Sequence, residues 1–189
     1  DIRLLVRLSY RNPLAKSDLS FKFGAQPEEA LELVRFARDN NIIVAGFCLH
    51  VGSQSPEPEA YRAAIEKTIA LCDQVDRELG VVCDTIDIGG GFPVSYRTEM
   101  PSIEAIAAVV RPVLEPLTHR FTFLAEPGRY IAASSMLAVT QIVGKSERFG
   151  EQWYYLDDGL YGSYSNIMTE DVHPAIVALR ELDGRRQEL

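Results

Sequence analysis

The order of apolar and polar positions predicts alternating strands and helices from the first residues to Arg129. Ile2 to Ser9 is an apolar run with Arg7 near its end, and it reads as a strand. Tyr10 to Gly24 is polar, contains Pro13 and Gly24, and reads as a loop. Pro27 to Asn40 sets Ala30, Leu31, Val34 and Ala37 on one helical face. Pro27 suits the first helical position, and Glu28 and Glu29 suit the positive end of the helix dipole. Ile42 to His50 is almost continuously apolar, as in a strand buried on both faces. The loop Val51-Gly52-Ser53-Gln54 follows it. Pro58 to Leu79 is a long helix with Ala60, Ala64, Ile65, Ile69, Leu71 and Val75 inward, stopped by Gly80. Val81 to Ile88 is the next buried strand, and three glycines, Gly89 to Gly91, come directly after it. Ser102 to Leu117 is a helix capped by Ser102 and bent at Pro112. Phe121 to Ala125 is the fourth strand.

Such alternation means parallel strands joined by crossover helices. The pattern changes beyond Arg129. Ser135 to Lys145 alternates, Arg148 to Gln152 is a turn, and Trp153 to Leu156 is a strand, with no helix between them. An antiparallel β region is therefore predicted from about Ala133, which divides the chain into domains 1–132 and 133–189. Pro174 to Leu189 is partly helical in pattern and ends in charge. No internal repeat or low-complexity segment is visible.

Composition narrows the function classes. With 47% hydrophobic and 24% charged residues, the 189-residue chain can bury one substantial core. A net charge of −8 argues against nucleic acid and anionic membranes as partners and suits a small cationic substrate. No apolar run reaches the length of a membrane span, and no secretory leader is visible. The first residue is not methionine, so a segment of a longer cytoplasmic protein is expected. Cys48, Cys72 and Cys83 lack metal-ligand or CxxC spacing, so they read as small buried hydrophobes in a reducing cytosol, and no metal site is expected.

In parallel α/β folds, ligands sit beyond the carboxyl ends of the strands. Here those ends carry Arg7, then His50 with Ser53, then Gly89 to Gly91, then Glu126 with Gly128 and Arg129. A hydroxyl, an arginine and glycine amides that can approach an anion closely make a phosphate-binding set. The imidazole and the carboxylate add acid–base groups. Each feature also has a bland reading: a tight strand exit for the glycines, a structural histidine, a local Glu126–Arg129 ion pair. That all four strand ends are furnished this way favours a site.

The segments FKFGA (Phe21–Ala25), HVGSQ (His50–Gln54), DIGGGFP (Asp87–Pro93), EPGRYIAA (Glu126–Ala133) and DDGLYGSYSNIM (Asp157–Met168) come in an order that resembles the ornithine/diaminopimelate/arginine decarboxylases. These are pyridoxal-phosphate enzymes with an alanine-racemase-like barrel. DIGGGFP and DGLYGSYS are more similar to the ornithine and lysine enzymes, and HVGSQ to diaminopimelate decarboxylase. The resemblance implies an α/β fold, a (β/α)8 TIM-like barrel whose C-terminal half is present here, followed by the start of an antiparallel β domain. It implies pyridoxal 5'-phosphate as cofactor and decarboxylation of a basic L-amino acid, ornithine or lysine foremost, to a di- or polyamine. It also implies a homodimer with shared active sites. Diaminopimelate, arginine or a conjugated ornithine are alternative substrates, and a non-catalytic, regulatory relative is the alternative of a different class.

The resemblance also implies residue roles. Glu126 would hold the pyridine nitrogen, aimed by the restriction that Pro127 places on its backbone. His50 would stack on the cofactor ring. Ser53, Gly90, Gly91, Gly128 and Arg129 would bind the phosphate, and Arg7 would line the cofactor cavity. Lys22 would lie near a subunit interface, and Glu170 would meet the distal amine of the substrate. The chain departs from the family pattern at that last point: Thr169-Glu170, then Asp171, stand where ornithine decarboxylases carry an aromatic-Asp pair. The family's cofactor-bearing lysine falls before residue 1, and its cysteine-aspartate pair and tyrosine fall after this window. The stretch as given is therefore expected to be inactive alone.

Overall fold

A computed structural model describes residues 2–170, 172–173 and 175–178. The chain forms two compact units, one from the start through Val94 plus Met100–Met136, the other from Ser95–Glu99 and the chain beyond Leu137.

The first unit is a parallel sheet of β1 (Arg3–Arg7), β2 (Ile43–Cys48), β3 (Thr85–Asp87) and β4 (Thr122–Leu124), in that spatial order. The crossovers are α1 (Pro27–Asp39), α2 (Pro58–Leu79) and α3 (Ile103–Leu114). Each helix starts and stops for a local reason. The Gln26 N–H donates to the Glu29 carboxylate at 2.8 Å at the start of α1. Gly80, at φ 63°, takes the left-handed conformation that ends α2. The Ser102 hydroxyl accepts from the Ala105 N–H at 3.3 Å and caps α3. Pro112 sits inside α3, and the helix tightens into a 3-10 turn over Glu115–Leu117. The bend expected across Ser102–Leu117 is thus a change of helix type just beyond the proline.

Strand register sorts the side chains into two faces, because paired residues in a parallel sheet share a side. Val6, Phe47, Ile86 and Phe123 form one row. Phe47 and Ile86 are fully buried among Val34, Tyr61, Ile65 and Val75 from α1 and α2, so this is the helix-facing side. The next row, Arg7, Cys48, Asp87 and Leu124, faces the other way at the carboxyl ends of the strands. The register slips by one residue between Leu4 and Leu5, where Ala45 is the extra residue of β2. The Val81–Ile88 run pairs as a ladder only over Thr85–Asp87, although the Asp84 N–H still reaches the Ala45 carbonyl at 2.9 Å. Apolar composition marked its burial, and the ladder itself is shorter.

The second unit holds an antiparallel hairpin, β5 (Ile142–Arg148) with β6 (Glu151–Leu156). Phe149 and Gly150 form its two-residue turn with φ 55° and 80°, the positive values that twist-matched hairpin turns require. Strand β5 starts at Ile142, later than the alternation from Ser135 predicts, and β6 starts at Glu151, earlier than Trp153. A short α4 (Gly128–Ala132) precedes it in the first unit, and α5 (Asn166–Glu170) follows it. Neither short helix has an apolar repeat long enough to read from sequence. Asp171, Pro174 and residues 179–189 lie outside the described residues. Among the described residues, no helix is long and apolar enough to cross a membrane.

Candidate active site

The loops that leave β1, β2 and β3 are tied to one another through backbone, which fixes the residues at the strand ends. Asn12, after β1, donates through Nδ2 to the Val51 carbonyl at 2.7 Å and to the Ser55 hydroxyl at 3.0 Å. Gln54 closes a two-way link to Val94, donating to its carbonyl at 3.0 Å and accepting from its N–H at 2.7 Å. The Ser55 N–H donates to the Gly91 carbonyl at 3.1 Å. The Glu126 N–H donates to the Gly89 carbonyl at 2.8 Å, which brings the end of β4 onto the glycine turn.

The glycines are required by this closeness. Gly89 and Gly91 have φ of 68° and 92°, and a Cβ on them would run into the Leu49 and Gly52 carbonyl oxygens respectively. A Cβ on Gly90 would lie 2.7 Å from the Glu126 carbonyl oxygen and 3.2 Å from His50 Nε2. Asp87, buried on the strand-end row, accepts the Gly89 N–H at 2.8 Å and sets the turn. The Gly90 and Gly91 N–H groups donate to nothing among the described residues. Gly90 is buried, so an N–H there without an acceptor is costly unless a ligand supplies one.

His50 is half-buried, and its Nδ1 accepts the Gly52 N–H at 3.0 Å. That bond leaves the ring proton on Nε2, the atom nearest Gly90. Burial, then the positive charge of Arg7, push the His50 pKa below its ordinary 6.5, so the ring is neutral at neutral pH. Cys48 is pushed up by burial and by the charges of Asp87 and Glu126, with Arg7 opposing. Arg7 is half-buried, forms no ion pair among the described residues, and stacks on Phe23 with Cζ 5.1 Å from the ring centroid. The Glu126 carboxylate is exposed and accepts no hydrogen bond among the described residues.

Ser53 exchanges backbone hydrogen bonds with Ser17 at 2.9 and 3.3 Å, and its hydroxyl stays unspent among the described residues. The Gly128 N–H is turned back onto the Glu126 carbonyl at 2.8 Å, and a Cβ at Gly128 would meet nothing within 4 Å. Arg129 follows on α4, half-buried. The structure therefore gathers Arg7, His50, Gly90 and Glu126 around one point, with Ser53, Gly91 and Gly128 adjoining. Glu170 ends α5 in the second unit. Asn12, Phe23, Cys48, Gln54 and Asp87 also build this region. Asp87, Phe23 and Gln54 stand inside the DIGGGFP, FKFGA and HVGSQ segments, whereas nothing in the sequence marks Asn12. Among the described residues, no cluster of His, Cys, Asp or Glu could hold a metal. A groove of about 1000 Å³ lies elsewhere: it runs along α1 and β1, lined by Leu4, Leu33, Phe36 and Ile42, and includes Arg7 and Gly24.

Residues 1–133 match the family model for the pyridoxal binding domain of the pyridoxal-dependent decarboxylases. The chain belongs to that family. Residues 81–188 match the C-terminal sheet domain of the same decarboxylases. The lysine/ornithine decarboxylase of Selenomonas ruminantium is 38% identical over 166 residues, which is 87% of this chain and 42% of that protein. The ornithine decarboxylase of Panagrellus redivivus is 35% identical over 203 residues, 97% of this chain and 46% of that protein. The crystal structure of Vibrio vulnificus lysine/ornithine decarboxylase complexed with cadaverine is similar with a TM-score of 0.81 at 39% identity, over 95% of this chain and 46% of that one. The arginine decarboxylase of Paramecium bursaria Chlorella virus also gives 0.81, at 30% identity, over 95% and 48%. The chain spans less than half the length of these decarboxylases.

Proposed function

We propose that this chain supplies the cofactor-holding strand ends of a pyridoxal-phosphate-dependent decarboxylase for a basic L-amino acid, ornithine or lysine, within a (β/α)8 barrel. The observation that carries the reading is the pair of unspent Gly90 and Gly91 N–H groups on a turn too tight for any side chain. With the Ser53 hydroxyl, which is unspent among the described residues, on the neighbouring loop, they suit the phosphate of the cofactor, and Arg129 and Gly128 are assigned to the same group. When bound, the cofactor supplies an electron sink for the charge left on the substrate carbon as CO₂ departs. Glu126 is assigned to the protonated pyridine nitrogen, since an exposed carboxylate with no hydrogen bond among the described residues can accept that proton's bond. His50 offers a neutral ring, oriented by its bond to Gly52, that can lie against an aromatic cofactor without adding charge. Arg7, which has no ion-pair partner among the described residues, brings a positive charge to bear on it. Glu170 is assigned to the distal amine of the substrate, which an acidic chain of net charge −8 attracts.

The same reading includes a homodimer with shared active sites, on the strength of the family resemblance. It also includes a cytoplasmic location, which three free cysteines suit. The test uses the full-length protein that carries this chain. Its absorbance is recorded with pyridoxal phosphate, and CO₂ release is measured from ornithine, lysine, arginine and diaminopimelate. A cofactor band with release from ornithine or lysine is expected. A cofactor band without release from any of the four would make the protein a non-catalytic relative, and no band would remove the cofactor site.

A further inference from the structure

The loop after β1 returns to that strand in an unusual way. The Ala25 N–H donates to the Arg7 carbonyl at 2.8 Å, and the Ser9 N–H donates to the Ala25 carbonyl at 2.9 Å. Leu8 and Ala25 thus form an isolated parallel bridge. Gly24, at φ 92°, is pressed against β1's continuation: a Cβ there would lie 2.7 Å from the Leu8 carbonyl carbon and oxygen and 2.8 Å from the Ser9 nitrogen. Only glycine permits this approach, and the approach sets Phe23 beside Arg7. The Arg7 Cζ is 5.1 Å from the Phe23 ring centroid, and the Lys22 Nζ is 5.0 Å from the same centroid.

We propose that Phe23 is a positioning residue: its ring holds the Arg7 guanidinium at the strand-end site while leaving that charge unneutralised. Arg7 is a long side chain with much rotamer freedom and no ion-pair partner among the described residues. A carboxylate could hold it, but would cancel the charge that an anionic ligand needs. An aromatic face attracts the cation and leaves its N–H donors and its charge available. The 42% exposure of Phe23 fits this reading, because a large apolar side chain at a loop end has a reason to stay there other than the core. Lys22 is a second cation on the same ring.

The positioning itself can be read without any ligand, through His50. The charged and titratable groups at these strand ends are Arg7 of β1, Cys48 at the end of β2, Asp87 at the end of β3 and Glu126 beyond β4, the last two acting on Cys48. Of these, Arg7 is the charge that depresses the imidazole. Releasing Arg7 toward water lets His50 bind its proton at higher pH. The consequence for the cofactor rests on the function proposed above, and the consequence for His50 does not.

The experiment follows the ring resonances of histidine-labelled full-length protein against pH, with the His50 signal assigned by its loss in His50→Gln. Phe23→Leu keeps an apolar side chain and removes the ring, at a position outside the buried core. Phe23→Tyr keeps the ring. The His50 pKa is expected to rise in Phe23→Leu and in Arg7→Met, to return to the wild-type value in Phe23→Tyr, and to rise no further in the double variant than in Arg7→Met alone. Pyridoxal-phosphate dissociation constants, measured in parallel, should weaken by about two- to tenfold in Phe23→Leu, the fold-change of one cation–π contact. An unchanged His50 titration in Phe23→Leu, with a rise in Arg7→Met, overturns the proposal. So does an additive rise in the double variant. A His50 shift with unchanged cofactor affinity upholds the positioning and removes Arg7 from the cofactor site.

Discussion

Substituting Gly90 by alanine adds one methyl group at the centre of the proposed site. The backbone of Gly90 is outside the left-handed region, so alanine brings no conformational strain of its own. Its cost comes from two contacts. The new Cβ would stand 2.7 Å from the Glu126 carbonyl oxygen, closer than carbon and oxygen can pack, and 3.2 Å from His50 Nε2. Neither neighbour yields easily. The Glu126 peptide is held on both sides, its N–H by Gly89 and its carbonyl by the Gly128 N–H, each at 2.8 Å. The imidazole is held by the Gly52 N–H at 3.0 Å. Inserting a methyl group into such a fixed surround costs about 1–3 kcal/mol. Gly80→Ala is the control: it sits at φ 63° with nothing within 4 Å, so its cost of about 1–2 kcal/mol is conformational and remote from the site. Urea unfolding of the full-length protein should show both variants destabilised, with unchanged m-values. Only Gly90→Ala should weaken pyridoxal-phosphate binding, because only it displaces His50 and Glu126. Wild-type cofactor affinity in Gly90→Ala would refute the crowding read from these distances.

Tyr61→Phe should be neutral or stabilising by up to about 1–3 kcal/mol in urea unfolding, because the buried Tyr61 hydroxyl has no partner among the described residues and burial raises its pKa. The Tyr61 ring stacks on Phe92, 5.1 Å between centroids, and phenylalanine keeps that contact. Glu126→Gln should retain the cofactor and lose turnover far more than substrate affinity, measured as kcat against KM, since an amide cannot balance a protonated pyridine nitrogen. Acidification should destabilise the fold through His50. Its folded pKa lies below the ordinary 6.5, so the unfolded chain takes up the proton first. The contribution is complete above that ordinary value and is lost as pH falls through the folded value. His50→Gln should remove that part of the pH dependence of the urea midpoint.

The parallel unit was legible because burial on both faces leaves a mark on composition. Ile42–Leu49 is apolar at every position, Val81–Ile88 is apolar outside Asp84, Thr85 and Asp87, and helices with one apolar face separate the strands. What composition could not mark was where the ladder stops. Val81 to Cys83 is apolar enough to be strand, yet the ladder runs only over Thr85–Asp87, with Asp84 adding single bonds to Ala45 and Thr122. Cys83 is buried by packing without joining the sheet. The start of β5 was misplaced for the opposite reason. Leu137 and Val139 alternate with smaller and polar neighbours as strand residues do, but they are 93% and 84% exposed, so no buried face selects the extended ladder before Ile142.

The site divides along a similar line. Arg7, His50, Gly90 and Glu126 could be read from sequence because each is a chemically marked residue at the end of an apolar run. The roles of Asn12, Gln54 and Phe23 could not, even though Gln54 and Phe23 stand inside the HVGSQ and FKFGA segments, since all three act across the chain: Asn12 on Val51, Gln54 on Val94, and Phe23 on Arg7. Their partners lie 16 to 40 residues away or across a turn, and no local spacing announces them. They nevertheless decide what the marked residues can do. A neutral imidazole over a glycine turn requires that the β2 and β3 loops stay in register to within the width of a methyl group. The Gln54 side chain supplies that register with bonds of 2.7 and 3.0 Å to the Val94 backbone, and the Asn12 side chain ties the β1 loop to the Val51 carbonyl at 2.7 Å. An unneutralised arginine beside that imidazole requires something other than a carboxylate to hold it, and the Phe23 ring is what this chain provides. The marked residues thus define the chemistry available, and the unmarked ones determine which charges and N–H groups remain free to carry it out.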